Sequence, residues 1–561
     1  MISVVLSWII ILLPTYIIGY GVVHALNRNG QSKTSSTDLY IAIGLCFLTV
    51  YAQVFSLFYK VGILACLVLG IITLLFLLYD LKQGLMKALK LRKDGINAII
   101  LVLLFWGTLA TIYYTSLSPE HYDTALYHAQ AIRWVEEYGV VKGLGNLHFR
   151  FAYNSAFIPL QALFSLKWLV NQSMHTVNGF VACGMLWYAI ATDRFLTKEK
   201  TVQTSDFLKL AVSIYIVMNR SMLSSPSTDT MALLLVGYIF IKCMEFIENG
   251  IQDTNAWIIL VILVAWGVTL KLSVAPMAML VFYPVWLIYK DRKWLLEGSL
   301  LIAGILTVAL PWMIRSVLIS GYLIYPYSVI DLFQVDWKMP EAVLNYDKIE
   351  IMVWGRALKD TSLYNMKLWE WFPIWFRSNS TIFNIIFILA VVAMLVLLFH
   401  IVSAVKLKEN IRVFIYINAI TGFIFWFATA PLMRYGLIYS FILIALAIGA
   451  YSEKHAMKFV NGLFLMIMLP VMVLYLDVFY SQHLWVRQSD YEWRDNVEKE
   501  VDGVKVWIPA NGDQIGYAVF PSTPYEKMLS VIELRGDSVK DGFRIKEEWK
   551  NRVIRGDGET R

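Results

Sequence analysis

The chain has 561 residues, of which 58% are hydrophobic and 16% charged. Soluble domains carry nearer a quarter charged residues and cannot hide this much apolar surface, so the composition excludes a soluble globular protein and specifies a polytopic membrane one. The net charge of +7 calls for no nucleic acid, because lysine and arginine collect in short loops on the cytoplasmic side of membrane proteins.

The first apolar run, Ile2 to Val23, matches the roughly 20 helical residues that cross a bilayer. It has no basic flank before it and no small-residue cleavage site after it, which makes it a retained helix rather than a signal peptide. Spans follow near 39–59, 61–81 and 96–116. The connector Lys82, Lys87, Lys90, Arg92, Lys93 is the strongest orientation signal; placed inside, it sends the N-terminus and the loop 117–154 outside. Later basic runs at 193–209, 290–293, 406–412 and 453–458 also fall inside, provided Phe157 to Val170 dips into the outer leaflet without crossing. Further crossings are expected near 175–192, 207–220, 229–247, 256–270, 272–290, 298–319, 382–403, 412–429, 435–451 and 457–479, about 14 in all. The expected organisation is an all-α polytopic protein with N-terminal transmembrane helices (1–95) and a transmembrane core (96–479) carrying exterior loops 117–154 and 320–381. A small α+β exterior domain (480–561) completes it, with strand-like runs such as Val504 to Ile508. Cys46, Cys66, Cys183 and Cys243 all lie in apolar runs, so no disulfide framework can be argued.

The loop 117–154 carries the densest chemistry. Glu120, Asp123, Tyr127 and His128 crowd groups able to take a proton from a hydroxyl or bind a cation. Ala125, Ala129, Ile132 and Val135 recur at helical spacing, so 123–138 is expected to be an amphipathic helix lying on the membrane with Asp123 at its start. There Asp123 is either a helix cap or a proton acceptor. His121, His128 and His148 match no zinc spacing and read as hydrogen-bonding or substrate-positioning residues.

Charged groups at membrane depth are costly and mark function by default. Asp229 in SSPSTDT, Lys271 in TLKLS, Arg315 in PWMIRS and Arg434 in PLMRY all stand at span ends that the topology sends to the same face as Asp123. Each also has a plainer account: Lys271 snorkels, the arginines meet lipid phosphates, and Asp229 caps its helix. The turn at Ser225 and Pro226 is expected to present backbone groups to a cavity. The aromatic residues of 320–381, among them Tyr325, Tyr327, Trp354, Trp369, Trp371 and Trp375, are either an interfacial belt or a platform for sugar rings or a prenyl chain.

Together HYDTALYHAQAIRW, GLGNLHFRFAYNS, SSPSTDT, LKLS, a Pro-to-Arg run ending in SGYLIYP, and PLMRY resemble the GT-C superfamily of membrane glycosyltransferases, through a bacterial group of multi-spanning proteins allied to it. The likeness covers roughly 96–440; the three spans ahead of the loop depart from the superfamily's usual single one. The resemblance implies an inverting glycosyltransferase that moves a sugar from a polyprenyl-phosphate carrier to a glycan, lipid or protein acceptor, among membrane lipids on the outer face of the cytoplasmic membrane. Carried over by position, Asp123 is the general base and Glu120 its catalytic neighbour. Lys271, Arg315 and Arg434 hold the carrier phosphate, and Tyr127, His128, Asp229 and Tyr435 bind substrate. Glu120 and Asp229 either orient the base or hold a divalent cation. The competing expectations are a polysaccharide polymerase or ligase and a flippase for lipid-linked glycans; a flippase would show repeated halves with charges near mid-membrane.

Overall fold

A computed structural model describes residues 1–26, 35–83, 85, 98–194, 202–406, 410–455 and 487–549. Ten of its helices are long and apolar enough to cross a membrane: Ile2–Leu26, Thr37–Phe58, Ile63–Lys82, Ala98–Thr115, Thr228–Glu248, Leu272–Asp291, Trp294–Ser320, Thr381–Val402, Asn410–Thr429 and Met433–Ser452. The protein is a multi-pass helical membrane protein, and among the described residues sheet is confined to its C-terminal part.

Three more of the expected crossings are helices, but short ones: Val177–Ala191, Thr204–Met218 and Thr254–Leu270. At 1.5 Å per residue they reach about 22 to 26 Å against a hydrocarbon thickness of about 30 Å. The last expected crossing, 457–479, lies outside the described residues, as do Lys87, Lys90, Arg92, Lys93, Lys198, Lys200 and Lys458 and the two ends of the C-terminal part. The stretch Phe157 to Val170 does not form one helix. Phe157–Phe164 is fully buried, and Leu166 at φ +53° breaks the chain before Lys167–Val170. Eight residues span only about 12 Å, so this element enters the bundle and turns back, its backbone groups satisfied within the protein.

At one end of the bundle, buried charges staple helices together. Lys242 bonds to Asp38 and Glu245, each at 3.0 Å, and Lys209 to Glu245 at 3.0 Å. Arg194 reaches Asp206 at 3.2 Å. Arg194 and Lys209, read from sequence as orientation charges, are therefore also cross-links between helices.

The opposite end carries the loop 117–154 and the C-terminal domain, which share a second apolar core. Trp134, Leu147, Phe149, Ile319, Tyr325, Leu344, Val506, Val531 and Phe543 meet there. Two separate antiparallel two-stranded sheets lie here, Asn496–Val501 with Val504–Pro509 and Ile532–Leu534 with Phe543–Ile545. This domain corrects the expectation that 123–138 lies on the membrane. The helix Ala129–Glu137 is amphipathic, but it is held between the buried Phe157–Phe164 segment and residues 515–520. Gln130 donates to the carbonyls of Gly516 and Val519 at 2.9 and 2.8 Å, and Arg133 to that of Ala518 at 2.8 Å, while its guanidinium lies over the Tyr517 and Phe520 rings. Apolar spacing cannot distinguish a lipid partner from a protein one; the polar partners on the other face decide it.

The two parts interlock through backbone. Phe543 N–H donates to the Lys142 carbonyl at 3.0 Å. Gly143, at φ +64°, brings its α-carbon so close to the Phe543 carbonyl that a Cβ would overlap it. Gly143→Val is therefore expected to undock the C-terminal domain while leaving the bundle folded. The check is limited proteolysis in detergent: cutting between residues 487 and 549 at least tenfold faster than in the wild type, with the transmembrane fragment still resistant. Equal cutting rates would show that this contact does not hold the domain.

Candidate functional site

Where the bundle meets the second core there is a cavity of about 370 Å³. Asp123, Tyr127, His128, Asp229, Lys271, Arg315 and Tyr435 all line it, and Arg434 stands directly behind Asp123. Segments hundreds of residues apart in sequence thus converge on one space. Apolar side chains, among them Val135, Ile158, Ile319, Met352, Phe425 and Trp426, make up most of the wall.

Each charged residue is placed by a local feature. Thr124–His128 is a single wide π turn leading into Ala129–Glu137, so Tyr127, Ala131 and Val135 recur every four residues on the cavity face with His128 beside them. Such turns often mark functional positions. Asp123 does stand at the start of this helix, but its carboxylate makes no capping bond. It receives Arg434 Nη2 at 2.8 Å instead. Arg434 Nη1 donates at 2.8 Å to His121 Nε2; since a guanidinium only donates, His121 is neutral with its proton on Nδ1. Lys271 sits in extended backbone (φ −157°) at the break between Thr254–Leu270 and the 3-10 stretch Leu272–Val281. From that break its ammonium bonds to Asp229 and lies 3.8 Å from the centre of the Tyr435 ring. Asp229, in the first turn of Thr228–Glu248, pairs with Lys271 and stands 3.9 Å from Arg434 Nε, so it does more than serve the helix end.

Arg315 is held differently. Asn154, in left-handed backbone at φ +48°, accepts at its main-chain oxygen from the Trp312 indole (2.9 Å), and its amide donates to the Trp312 carbonyl at 2.8 Å. Its side-chain oxygen takes Arg315 Nε at 3.2 Å, and Ser56 takes Nη1. Arg315 is 3% exposed, lines the cavity, and has no carboxylate within ion-pair distance among the described residues.

Two expectations fail on geometry. Glu120 is solvent-exposed and does not line the cavity, because the helical register that turns side chains inward begins only at Asp123. The Ser225–Pro226 turn does not offer its backbone to the cavity: Asn178 takes the carbonyls of Ser225 and Ser227 at 2.8 and 2.9 Å. The aromatic residues of 320–381 divide between the two readings. Tyr325 and Tyr327 line the cavity, Trp371 and Trp375 are buried against Phe427, and Trp354 and Trp369 are exposed. A divalent cation does not fit this donor set. Asp123 and Asp229 are each already met by a cation, and no three His, Cys, Asp or Glu side chains group together among the described residues.

Sequence reasoning missed the far wall. Arg150, a lone charge within the aromatic run HFRFAY, bonds to Glu350 at 3.1 Å and lines the cavity, as do Tyr153 and Lys348. Arg150 could have been found as the one cation in an otherwise apolar stretch; Lys348 sits in an ordinary charged segment and gave no signal.

The domain-of-unknown-function model DUF8201 matches residues 1–443. The chain belongs to that family. Every cavity residue lies inside the matched stretch, whereas the C-terminal domain that covers the loop lies beyond it. No curated protein and no solved structure matches the chain.

Protonation follows from burial and partners. Burial pushes the Asp123 carboxyl up, but the Arg434 guanidinium together with His121, His128 and Arg150 outweighs burial and holds it below the usual carboxylate range. His128 is pushed down to about 3 by burial, so it stays neutral at physiological pH, and neither ring nitrogen has a partner among the described residues. It can donate or accept one hydrogen bond in the cavity. Asp347, behind the cavity, is pushed up to about 7 by burial, with the Tyr153 hydroxyl donating to it at 2.8 Å pulling only partly back. A carboxyl whose folded pKa exceeds its unfolded one costs stability as pH climbs from about 3.8 to about 7. Asp347→Asn is therefore expected to raise the thermal midpoint at pH 8 and to leave it nearly unchanged at pH 4, measured by unfolding in detergent; an equal effect at both pH values would show that folding does not shift the Asp347 carboxyl.

Proposed function

We propose that the protein is an inverting, GT-C-like glycosyltransferase, moving a sugar from a polyprenyl-phosphate carrier to a hydroxyl acceptor at the outer face of the cytoplasmic membrane. The observation that carries the reading is the cavity itself. It sets the Asp123 carboxylate, and a buried arginine with no carboxylate partner among the described residues, on the walls of one space that is otherwise largely apolar. A lipid-linked anionic donor needs that combination: a greasy wall for the chain, a cation for the phosphate, and a base for the incoming hydroxyl. The outward placement rests on the basic connector that begins at Lys82.

In this reaction the acceptor oxygen attacks the anomeric carbon from the side opposite the phosphate. Its proton passes to Asp123, the new C–O bond forms, and the bond from the anomeric carbon to the phosphate oxygen breaks. The electron pair stays on that oxygen, so the carrier phosphate changes from a monoanion to a dianion. Asp123 is a weak base in the ground state because Arg434 stabilises its charge. It gains basicity only against an oxygen already losing electrons to the anomeric carbon, which suits late proton transfer. Arg434 and His121 fix the orientation of the carboxylate, and Arg315 meets the charge growing on the leaving group. Tyr127, neutral His128 and Tyr435 supply hydrogen bonds and ring faces for sugar, and the Asp229–Lys271 pair offers a donor and an acceptor side by side.

Replacing Asp123 with asparagine keeps shape and removes the proton acceptor. Transfer of labelled sugar from a polyprenyl-phosphate donor by the purified protein is expected to fall a hundredfold or more, with the donor still bound. Wild-type turnover in that variant would take Asp123 out of the mechanism.

A further inference from the structure

The charges around the cavity are not evenly spent. Asp123 is met by Arg434, Asp229 by Lys271, and Glu350 by Arg150. The cations that an incoming anion would be expected to meet at Lys271 and Arg434 are thus already committed to carboxylates. Drawing either away would leave a buried carboxylate without its partner, a costly exchange. Among the residues lining the cavity, two cations have no carboxylate within ion-pair distance among the described residues: Arg315 and Lys348. Arg315 is buried with its guanidinium fixed by Asn154 and Ser56, so its geometry is set before any ligand arrives. Lys348 projects from the helix Glu341–Gly355, half-buried, with its ammonium 5.4 Å from the centre of the Tyr327 ring.

We infer that Arg315 and Lys348 form the phosphate-binding pole of this cavity, and that Lys271 and Arg434 do not contact the phosphate. The inference deepens the glycosyltransferase reading and rests on it. A fixed, planar guanidinium suits two phosphate oxygens at once. A flexible ammonium suits the oxygen whose charge grows, since it can follow the leaving group. Two uncompensated cations match the dianion formed when the anomeric bond breaks better than the monoanion that enters, which is the difference a catalyst must provide. Ile351 and Met352 of the Lys348 helix line the same cavity as Phe425 and Trp426, an apolar surface for the first prenyl units of the carrier.

The test uses the full-length protein in lipid nanodiscs and measures binding of a long-chain polyprenyl phosphate against the corresponding polyprenol, with inorganic phosphate as competitor. The wild type is expected to prefer the phosphate at least tenfold, and millimolar inorganic phosphate is expected to displace it poorly. Lys348→Gln, at a half-exposed position where folding is not at stake, is expected to lose about tenfold of that preference, as is Arg315→Gln, a loss of about 1.4 kcal/mol each. The double change Asp229→Asn with Lys271→Gln removes both charges of a pair together and is expected to keep the preference. If Lys348→Gln and Arg315→Gln bind the phosphate like the wild type, or the paired double variant loses the preference, the pole is misassigned while the lipid-linked donor survives. If the wild type does not prefer the phosphate over polyprenol, or free phosphate competes equally, the donor reading itself fails and takes the pole with it.

Discussion

Charge at the edge of hydrocarbon has to be answered by opposite charge, and in this protein that requirement organises the site. Arg434 on Met433–His455 is satisfied by Asp123 from the loop and approaches Asp229 on Thr228–Glu248, which in turn takes Lys271 from the break after Thr254–Leu270. Each pair joins elements that sequence keeps far apart, so the ion pairs are tertiary cross-links as well as site chemistry. Removing one member of a buried pair costs on the order of 3 to 5 kcal/mol, less where, as at Arg434, a third of the side chain is exposed. The loop cannot move independently of the helices without exposing a lone charge. At the opposite end Lys209, Lys242 and Arg194 play the same part with Asp38, Asp206, Glu245 and Glu248.

Around this charge lattice the neutral contacts set position. Asn154 holds both Trp312 and Arg315 from a left-handed backbone that asparagine tolerates better than most residues. The C-terminal domain supplies the remaining constraint. Residues 515–520 accept the polar side chains of Gln130 and Arg133, and the Ala125 carbonyl receives the amides of Ile515 and Gly516 at 3.0 and 2.9 Å. The helix behind Asp123 is gripped from above by this domain and from below by Phe157–Phe164, which keeps the Asp123 carboxylate aimed at Arg434 and the cavity.

Much of this was legible in the sequence, for identifiable reasons. Spans follow from apolar length. The meeting of Asp123, Asp229, Lys271, Arg315 and Arg434 follows because each stands at the end of a span where burial is expensive, and alternating connections send those ends to one side. What stayed hidden has equally physical causes. Ion pairing between distant residues leaves no local mark, so nothing in TLKLS or PLMRY says that Lys271 and Arg434 are already neutralised. Glu120 and Asp123 look alike three residues apart, and only the onset of the π turn separates an exposed carboxylate from a buried one. The apolar stripe of 123–138 has the same spacing whether it meets lipid or protein. Lys348 has no feature in its own segment that sets it apart; its interest comes wholly from what is missing around it.

The arrangement also divides the charges around the cavity by kind. Asp123 with Arg434, Asp229 with Lys271 and Arg150 with Glu350 are closed pairs, locally dipolar but neutral in sum, whereas Arg315 and Lys348 leave positive potential unanswered among the described residues. In the proposed transfer negative charge leaves the acceptor oxygen, is partly neutralised by a proton on Asp123, and accumulates on the phosphate. A field fixed before substrate arrives need not reorganise as the bond breaks, and in a largely apolar chamber its effect is larger than it would be in solution. On the proposed reading, the lattice of paired charges and the two unpaired ones are two halves of a single device, the first keeping the surroundings of Asp123 neutral in sum so that the second can pull.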